Sequence, residues 1–165
     1  MSYQIKQDGK FKFIEEGEGE PLMLLHGLFG ALSNFQDLIT HFSKTNKVVV
    51  PILPLLDLDL LHTSVGGLQK FVHRFIEHRN CKNIHLLGNS LGRHVGLVLV
   101  LKHPEHIKSL ILTGSSGLFE NGMGDSYPNV VIRNISAKKH NSLFIIQTWQ
   151  LKSWLMRFLK LPITD

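Results

Sequence analysis

The hydrophobic pattern of the first 113 residues alternates between short apolar runs and stripes of apolar residues at helical spacing, which is typical of an α/β fold. The runs predict strands at 3–5, 11–15, 22–25, 47–53, 83–87 and 107–113. The stripes predict a helix capped by Ser33, a second helix over 64–78 and a buried helix over 95–101. We therefore expect one mostly parallel, twisted sheet with flanking helices, which ends after about its sixth strand.

A serine lies between two glycines where the strand 83–87 meets the helix that follows. Residues Gly88 to Gly92 read GNSLG, with Ser90 at the centre. A strand, a G-x-S-x-G turn and a helix together predict a nucleophile elbow, whose sharp turn leaves room only for residues without a Cβ beside the serine. We expect the hydroxyl of Ser90 to be exposed at the end of the sheet, with its backbone at a helix N-terminus.

A second motif follows the strand 22–25, where residues 26–30 read HGLFG. With HG-x-x-G after an early strand and G-x-S-x-G after a later one, the chain resembles the α/β-hydrolase superfamily over about residues 10–128. The residues of the two motifs, HGLFG and GNSLG, are most similar to those of small esterases and of the hydrolases that cleave C–C bonds of ring-fission products. The resemblance implies a hydrolase that uses a serine nucleophile.

The resemblance assigns roles to individual residues. It implies that Ser90 attacks an acyl carbon and forms a covalent intermediate. The backbone N–H of Leu91 would supply one donor of the oxyanion hole, and that of Leu28 the second, with Phe29 as the fallback.

Other motif residues have supporting roles in this interpretation. Gly27 and Gly30 would let their loop approach the substrate closely, and Gly88 and Gly92 would make room for the elbow. We interpret His26 as a structural residue that braces the loop rather than as a base.

The sequence does not identify the other two members of a catalytic triad. In the resembling family the order along the chain is serine, then a carboxylate, then histidine. The histidine after Gly117 is His140, and the candidate acids are Glu120, Asp125 and Asp165. We interpret each acid as a solvated loop residue, so the triad acid and base remain unknown.

The composition changes near Pro128. Residues 126–164 contain no Asp or Glu, and both tryptophans lie there. We therefore divide the chain into an N-terminal part of an α/β-hydrolase domain, residues 1–128, and a basic, apolar tail, residues 129–165, which we expect to be helical. A reading-frame change is the favoured origin of the tail. The alternatives are a genuine short variant and a functional amphipathic helix over 149–161.

The net charge of +5 does not predict nucleic-acid binding. Six of the 18 basic residues and one of the 13 acidic residues lie in 126–165, so the body of the chain is neutral. No nucleic-acid-binding motif accompanies the tail. A basic amphipathic helix can bind a membrane or a partner protein, but we favour the interpretation that 149–161 packs against the exposed sheet edge or aggregates.

Composition also bears on compartment and cofactors. Cys81 is the single cysteine, so no disulfide within the chain is expected, and residues 1–6 contain no apolar signal core. Both observations favour a cytoplasmic protein.

The pair His103-x-x-His106 is interrupted by Pro104 and joined by no nearby cysteine or acidic cluster, so we expect no metal and no cofactor.

Arg93 departs from the resembling family, where a small residue usually follows the elbow. A cation in the first helical turn opposes the helix dipole. A damaging substitution is favoured over contact with an anionic substrate.

Taken together, the motifs predict a serine hydrolase for a small ester, thioester or C–C ketone substrate, weak or inactive in this form. The alternative is a non-catalytic remnant whose tail binds a partner or a membrane surface.

Overall fold

The computed structural model describes residues 3–27, 35–55, 64–113 and 142–145 of the 165-residue chain. The strands are β1 (Lys6–Asp8), β2 (Phe11–Glu16), β3 (Glu20–Leu25), β4 (Asn46–Pro51), β5 (Ile84–Asn89), β6 (Ile107–Thr113) and β7 (Ser142–Ile145). The helices are α1 (Gln36–Phe42), α2 (Val65–His78) and α3 (Leu91–Lys102), and a short 3₁₀ turn, Pro104–His106, precedes β6.

The seven strands of the described residues belong to one sheet, in the order β1-β2-β4-β3-β5-β6-β7. The pairs β1/β2 and β2/β4 are antiparallel, whereas the remaining pairs, from β4/β3 to β6/β7, are parallel. This arrangement confirms the expected mostly parallel α/β fold. Because the strand order reverses beside β3, the carboxyl ends of β3 and β5 are neighbours, which is where α/β sheets hold their functional loops.

The sheet continues one strand past the expected sixth. Strand β7 pairs in parallel with β6, with Leu110 opposite Leu143. A strand edge has unpaired N–H and C=O groups, and the apolar run of Ser142–Ile145 satisfies them along β6. These four residues form a strand, which differs from the helix expected for the tail. The stripe 149–161 lies outside the described residues, and its helix stays a prediction.

Apolar side chains fill both faces of the sheet. Along β3, alternate residues point to opposite faces, so Met23 and Leu25 join the cluster beneath α2 and α3. Leu22 and Leu24 join the cluster beneath α1. The sheet is therefore a buried layer between helices, and its strand ends are held in place from both sides.

Helix α2 agrees with the predicted range 64–78, whereas α3 begins at Leu91, four residues before the predicted 95–101, because it starts directly after the turn at Ser90. Helix α2 is capped by Ser64, whose Oγ accepts a hydrogen bond of 3.1 Å from the N–H of Gly67. Helix α1 begins after Phe35, and its predicted cap Ser33 lies outside the described residues. Among the described helices, none has the length and apolar character needed to cross a membrane.

Candidate active site

Ser90 has a backbone conformation that few residues other than glycine adopt. It lies between β5 and α3 with φ 53° and ψ −117°. Its N–H donates a hydrogen bond of 3.1 Å to the carbonyl of Thr113, at the end of β6. A left-handed φ at a residue with a side chain costs free energy of about 1–3 kcal/mol and is found mostly where function requires it.

The two glycines of the elbow lie where no side chain fits. A Cβ on Gly88 would come within 2.5 Å of the carbonyl oxygen of Gly92 and 2.7 Å of the Cα of Arg93. A Cβ on Gly92 would overlap the carbonyl oxygen of Leu25. Helix α3 therefore begins directly against the ends of β3 and β5, which places the N-terminus of α3 beside Ser90.

The loop after β3 meets the elbow at Gly27. A Cβ on Gly27 would lie 2.9 Å from the Cβ of Ser90 and 3.2 Å from its Oγ. Leu28, Phe29 and Gly30, which the sequence places in the same loop, lie outside the described residues.

Leu91 is the first residue of α3. The first N–H groups of a helix have no intrahelical carbonyl partner and can bind an anion. In α3 the N–H of Arg93 donates to the carbonyl of Ser90 over 3.0 Å, so the N–H of Leu91 is the candidate donor. The tertiary structure thus brings Gly27, Ser90 and the N–H of Leu91 to one end of the sheet.

His26 is buried beside this loop, and both of its ring nitrogens are engaged. The N–H of Leu53 donates to Nε2 over 3.0 Å. Since Nε2 accepts this bond, the proton lies on Nδ1, which donates to the carbonyl of Gly27 over 2.9 Å. His26 thereby links the loop after β3 to the segment after β4 and has no nitrogen left to accept a proton from a substrate.

A serine–histidine pair lies at the opposite end of the sheet from Ser90. The ring Nδ1 of His85 lies 2.7 Å from the Oγ of Ser109, and Nε2 lies 3.2 Å from Glu20. Burial lowers the pKa of His85, while the hydrogen bond to Glu20 opposes part of that shift. Ser109 is only 3% exposed, so a substrate cannot reach it. Sequence reasoning did not find this cluster, because only the strand register brings its members together.

The candidate triad partners His140, Glu120, Asp125 and Asp165 lie outside the described residues. Within the described ranges, no hydrogen bond connects the Ser90 side chain to a histidine. His94 follows Ser90 by one turn of α3, and burial, with a smaller effect from the charge of Arg93, lowers its pKa. Sequence reasoning did not consider His94 as a base.

Arg93 is buried, with 3% of its surface exposed, and burial lowers the pKa of its guanidinium. It packs behind Gly88 at the start of α3. A side chain buried to this extent does not present its charge to the solvent. Contact between Arg93 and an anionic substrate is therefore not favoured.

A model of the α/β hydrolase fold family matches residues 20–145, from the start of β3 to the end of β7. The chain belongs to the α/β hydrolase fold family. The match runs past the predicted boundary at Pro128.

Similar proteins include a solved structure of comparable length, an α/β hydrolase enzyme from the metagenome of sediments of the Mar Chica lagoon in Morocco. It is 35% identical, with a TM-score of 0.70 over 98% of this chain and 85% of the other. Lipase 1 of Psychrobacter immobilis is 25% identical over 81% of this chain and 44% of its own length. Monoacylglycerol lipase abhd6-B of Xenopus laevis is 29% identical over 72% and 38%. The chain thus spans less than half the length of these two curated relatives.

Proposed function

We propose that this chain is a serine hydrolase of small acyl substrates, with Ser90 as the nucleophile. The observation that carries the proposal is the left-handed conformation of Ser90 between β5 and α3, at the N-terminus of a helix. Of the three substrate classes considered, esters, thioesters and C–C ketones, we favour esters, because two of the similar proteins are lipases.

The chemistry follows from what surrounds the serine. Attack by Oγ on an acyl carbon places negative charge on the carbonyl oxygen, and the N–H of Leu91 would donate a hydrogen bond to it. Leu28, or Phe29 in its place, would supply the second donor. Loss of one such donor lowers the rate by about 10²- to 10³-fold in comparable sites.

The proposed mechanism also needs a histidine that accepts the proton of the Ser90 hydroxyl. Neither His26 nor His85 is available, because the first binds two backbone groups and the second binds Ser109 and Glu20. His94 and His140 are the histidines that we propose to test as the acceptor of the proton from Ser90. We therefore expect this 165-residue form to acylate slowly and to turn over weakly.

A fluorophosphonate probe tests the proposal, because it reacts covalently with activated serines. We expect the wild-type chain to be labelled at Ser90, as located by mass spectrometry, and the Ser90→Ala variant not to be labelled. Ser109→Ala is the matched control, since this serine also faces a histidine but is buried; it should keep full labelling. Labelling that persists in Ser90→Ala would contradict the proposal.

Hydrolysis of 4-nitrophenyl acetate by the same variants measures turnover. We expect a low rate that Ser90→Ala removes. His94→Asn and His140→Asn then identify the base, since the variant that lacks it should lose its rate while remaining folded.

The alternative is a non-catalytic member of the family, favoured by the absence of acidic residues from 126–164. In that case the tail binds a partner or a membrane surface. A folded chain that neither reacts with the probe nor hydrolyses the ester would support this alternative and overturn the first proposal.

A further inference from the structure

Three potential metal ligands meet at the surface between α2 and the segment that enters β6. His73 lies on α2, His103 ends α3, and Glu105 lies in the 3₁₀ turn that follows. One ligand atom from each of the three lies within 4.8 Å of the others. The rings of His73 and His103 are stacked, with centroids 3.5 Å apart and planes 17° from parallel.

We propose that His73, His103 and Glu105 bind one divalent transition-metal ion, Zn²⁺ above others. Two imidazoles and a carboxylate form a ligand set that zinc accepts, with water in the fourth position. Ligand atoms about 2.0–2.1 Å from a tetrahedral ion are about 3.4 Å from one another. Because the rings of His73 and His103 are stacked in the structure, both side chains would rotate out of the stack on binding, so that their in-plane lone pairs face one ion.

Neighbouring groups suit such a site. A carboxylate oxygen of Glu77 lies 3.7 Å from Nδ1 of His73, which would orient that ring and leave Nε2 to face the ion. Nε2 of His106 lies 3.8 Å from Glu105. The side chains of His73 and His103 are 19% and 27% exposed, so an ion can enter from the solvent without a change in the fold.

The site would act on stability rather than on the proposed chemistry at Ser90. Ser90 precedes α3 and His103 follows it, so the length of a 12-residue helix, about 18 Å, separates them. A bound ion would fasten α2 to the end of α3.

The sequence suggested no metal here because it showed only the pair His103 and His106. The fold adds His73, which lies 30 positions before His103 in the chain.

Calorimetric titration of the chelator-treated 165-residue chain with Zn²⁺, together with thermal unfolding, tests the proposal. We expect one ion per chain, with a melting temperature that rises on the order of 5 °C at 100 times the dissociation constant. His73→Asn and Glu105→Gln should each weaken binding by about 10- to 100-fold or more. The matched control His41→Asn removes a histidine from the surface of α1 and should bind as the wild type does.

Circular dichroism of the metal-free variants establishes that each is folded before titration. Absence of stoichiometric binding by the wild-type chain would overturn the proposal. Equal affinity in His73→Asn and Glu105→Gln would also overturn it, because the ion would then be held elsewhere. Affinity that falls with decreasing pH would support histidine ligation, since the ligands must be deprotonated.

Discussion

Gly27 lies directly against Ser90, with space for no more than the hydrogen that glycine carries at its Cα. A Cβ at Gly27 would lie 2.9 Å from the Cβ of Ser90 and 3.2 Å from its hydroxyl oxygen. These residues are 63 positions apart in the sequence, and they meet because β3 and β5 are adjacent parallel strands. The contact links the two motifs into one site.

The first prediction concerns this contact. Gly27→Ala should displace the Ser90 side chain, lower the rate of fluorophosphonate labelling by at least 10-fold and destabilise the fold by about 1–3 kcal/mol through overpacking. Gly66→Ala is the control, because Gly66 lies in the first turn of α2 and a Cβ there would be 3.9 Å from the Oγ of Ser64, an ordinary van der Waals contact. An unchanged labelling rate in Gly27→Ala would show that the two motifs do not touch in solution.

The second prediction concerns the brace formed by His26. His26→Ala leaves the N–H of Leu53 and the carbonyl of Gly27 without their bonds to the ring. Each unsatisfied buried group costs about 1–3 kcal/mol, so the free energy of unfolding in urea should fall by at least that amount. His41→Ala, which changes a helix-surface histidine, should have a much smaller effect. Equal losses in the two variants would argue against a bracing role.

The third prediction concerns pH and His85. Burial, opposed in part by the hydrogen bond to Glu20, lowers the pKa of His85 from its ordinary value of 6.5, so the folded chain holds this ring neutral where the unfolded chain protonates it. Because the unfolded state binds more protons below pH 6.5, the free energy of unfolding should decrease as the pH falls through that value.

Urea unfolding of the wild type and His85→Asn at several pH values between 5 and 8 measures this effect. The wild type should lose more stability than the variant below pH 6.5. The comparison between the two is needed because burial lowers the pKa of His94 as well. Parallel curves for the two proteins would exclude His85 as a source of the pH dependence.

The sequence predicted some elements near the site closely and others less so. The prediction for β6, residues 107–113, agrees with the structure at both ends, and α2 has Ser64, the first residue of the predicted range, as its cap; α3, predicted over 95–101, begins at Leu91. Local chemistry decides such features, because hydrophobic periodicity and a capping hydroxyl act within a few residues. The edge strand β7 was not predicted, because four residues carry too short a pattern and pairing with β6 decides their conformation.

In the candidate site, too, some features follow from local sequence and others from tertiary contacts. The sequence by itself determined the elbow at Ser90, since glycines at 88 and 92 around a serine permit a turn that few other sequences allow. Only the tertiary structure decided the bonds of His26, the pairing of His85 with Ser109 and the meeting of His73 with His103. The physical reason is that strand order and helix packing bring together residues far apart in the chain, and no local pattern records those distances.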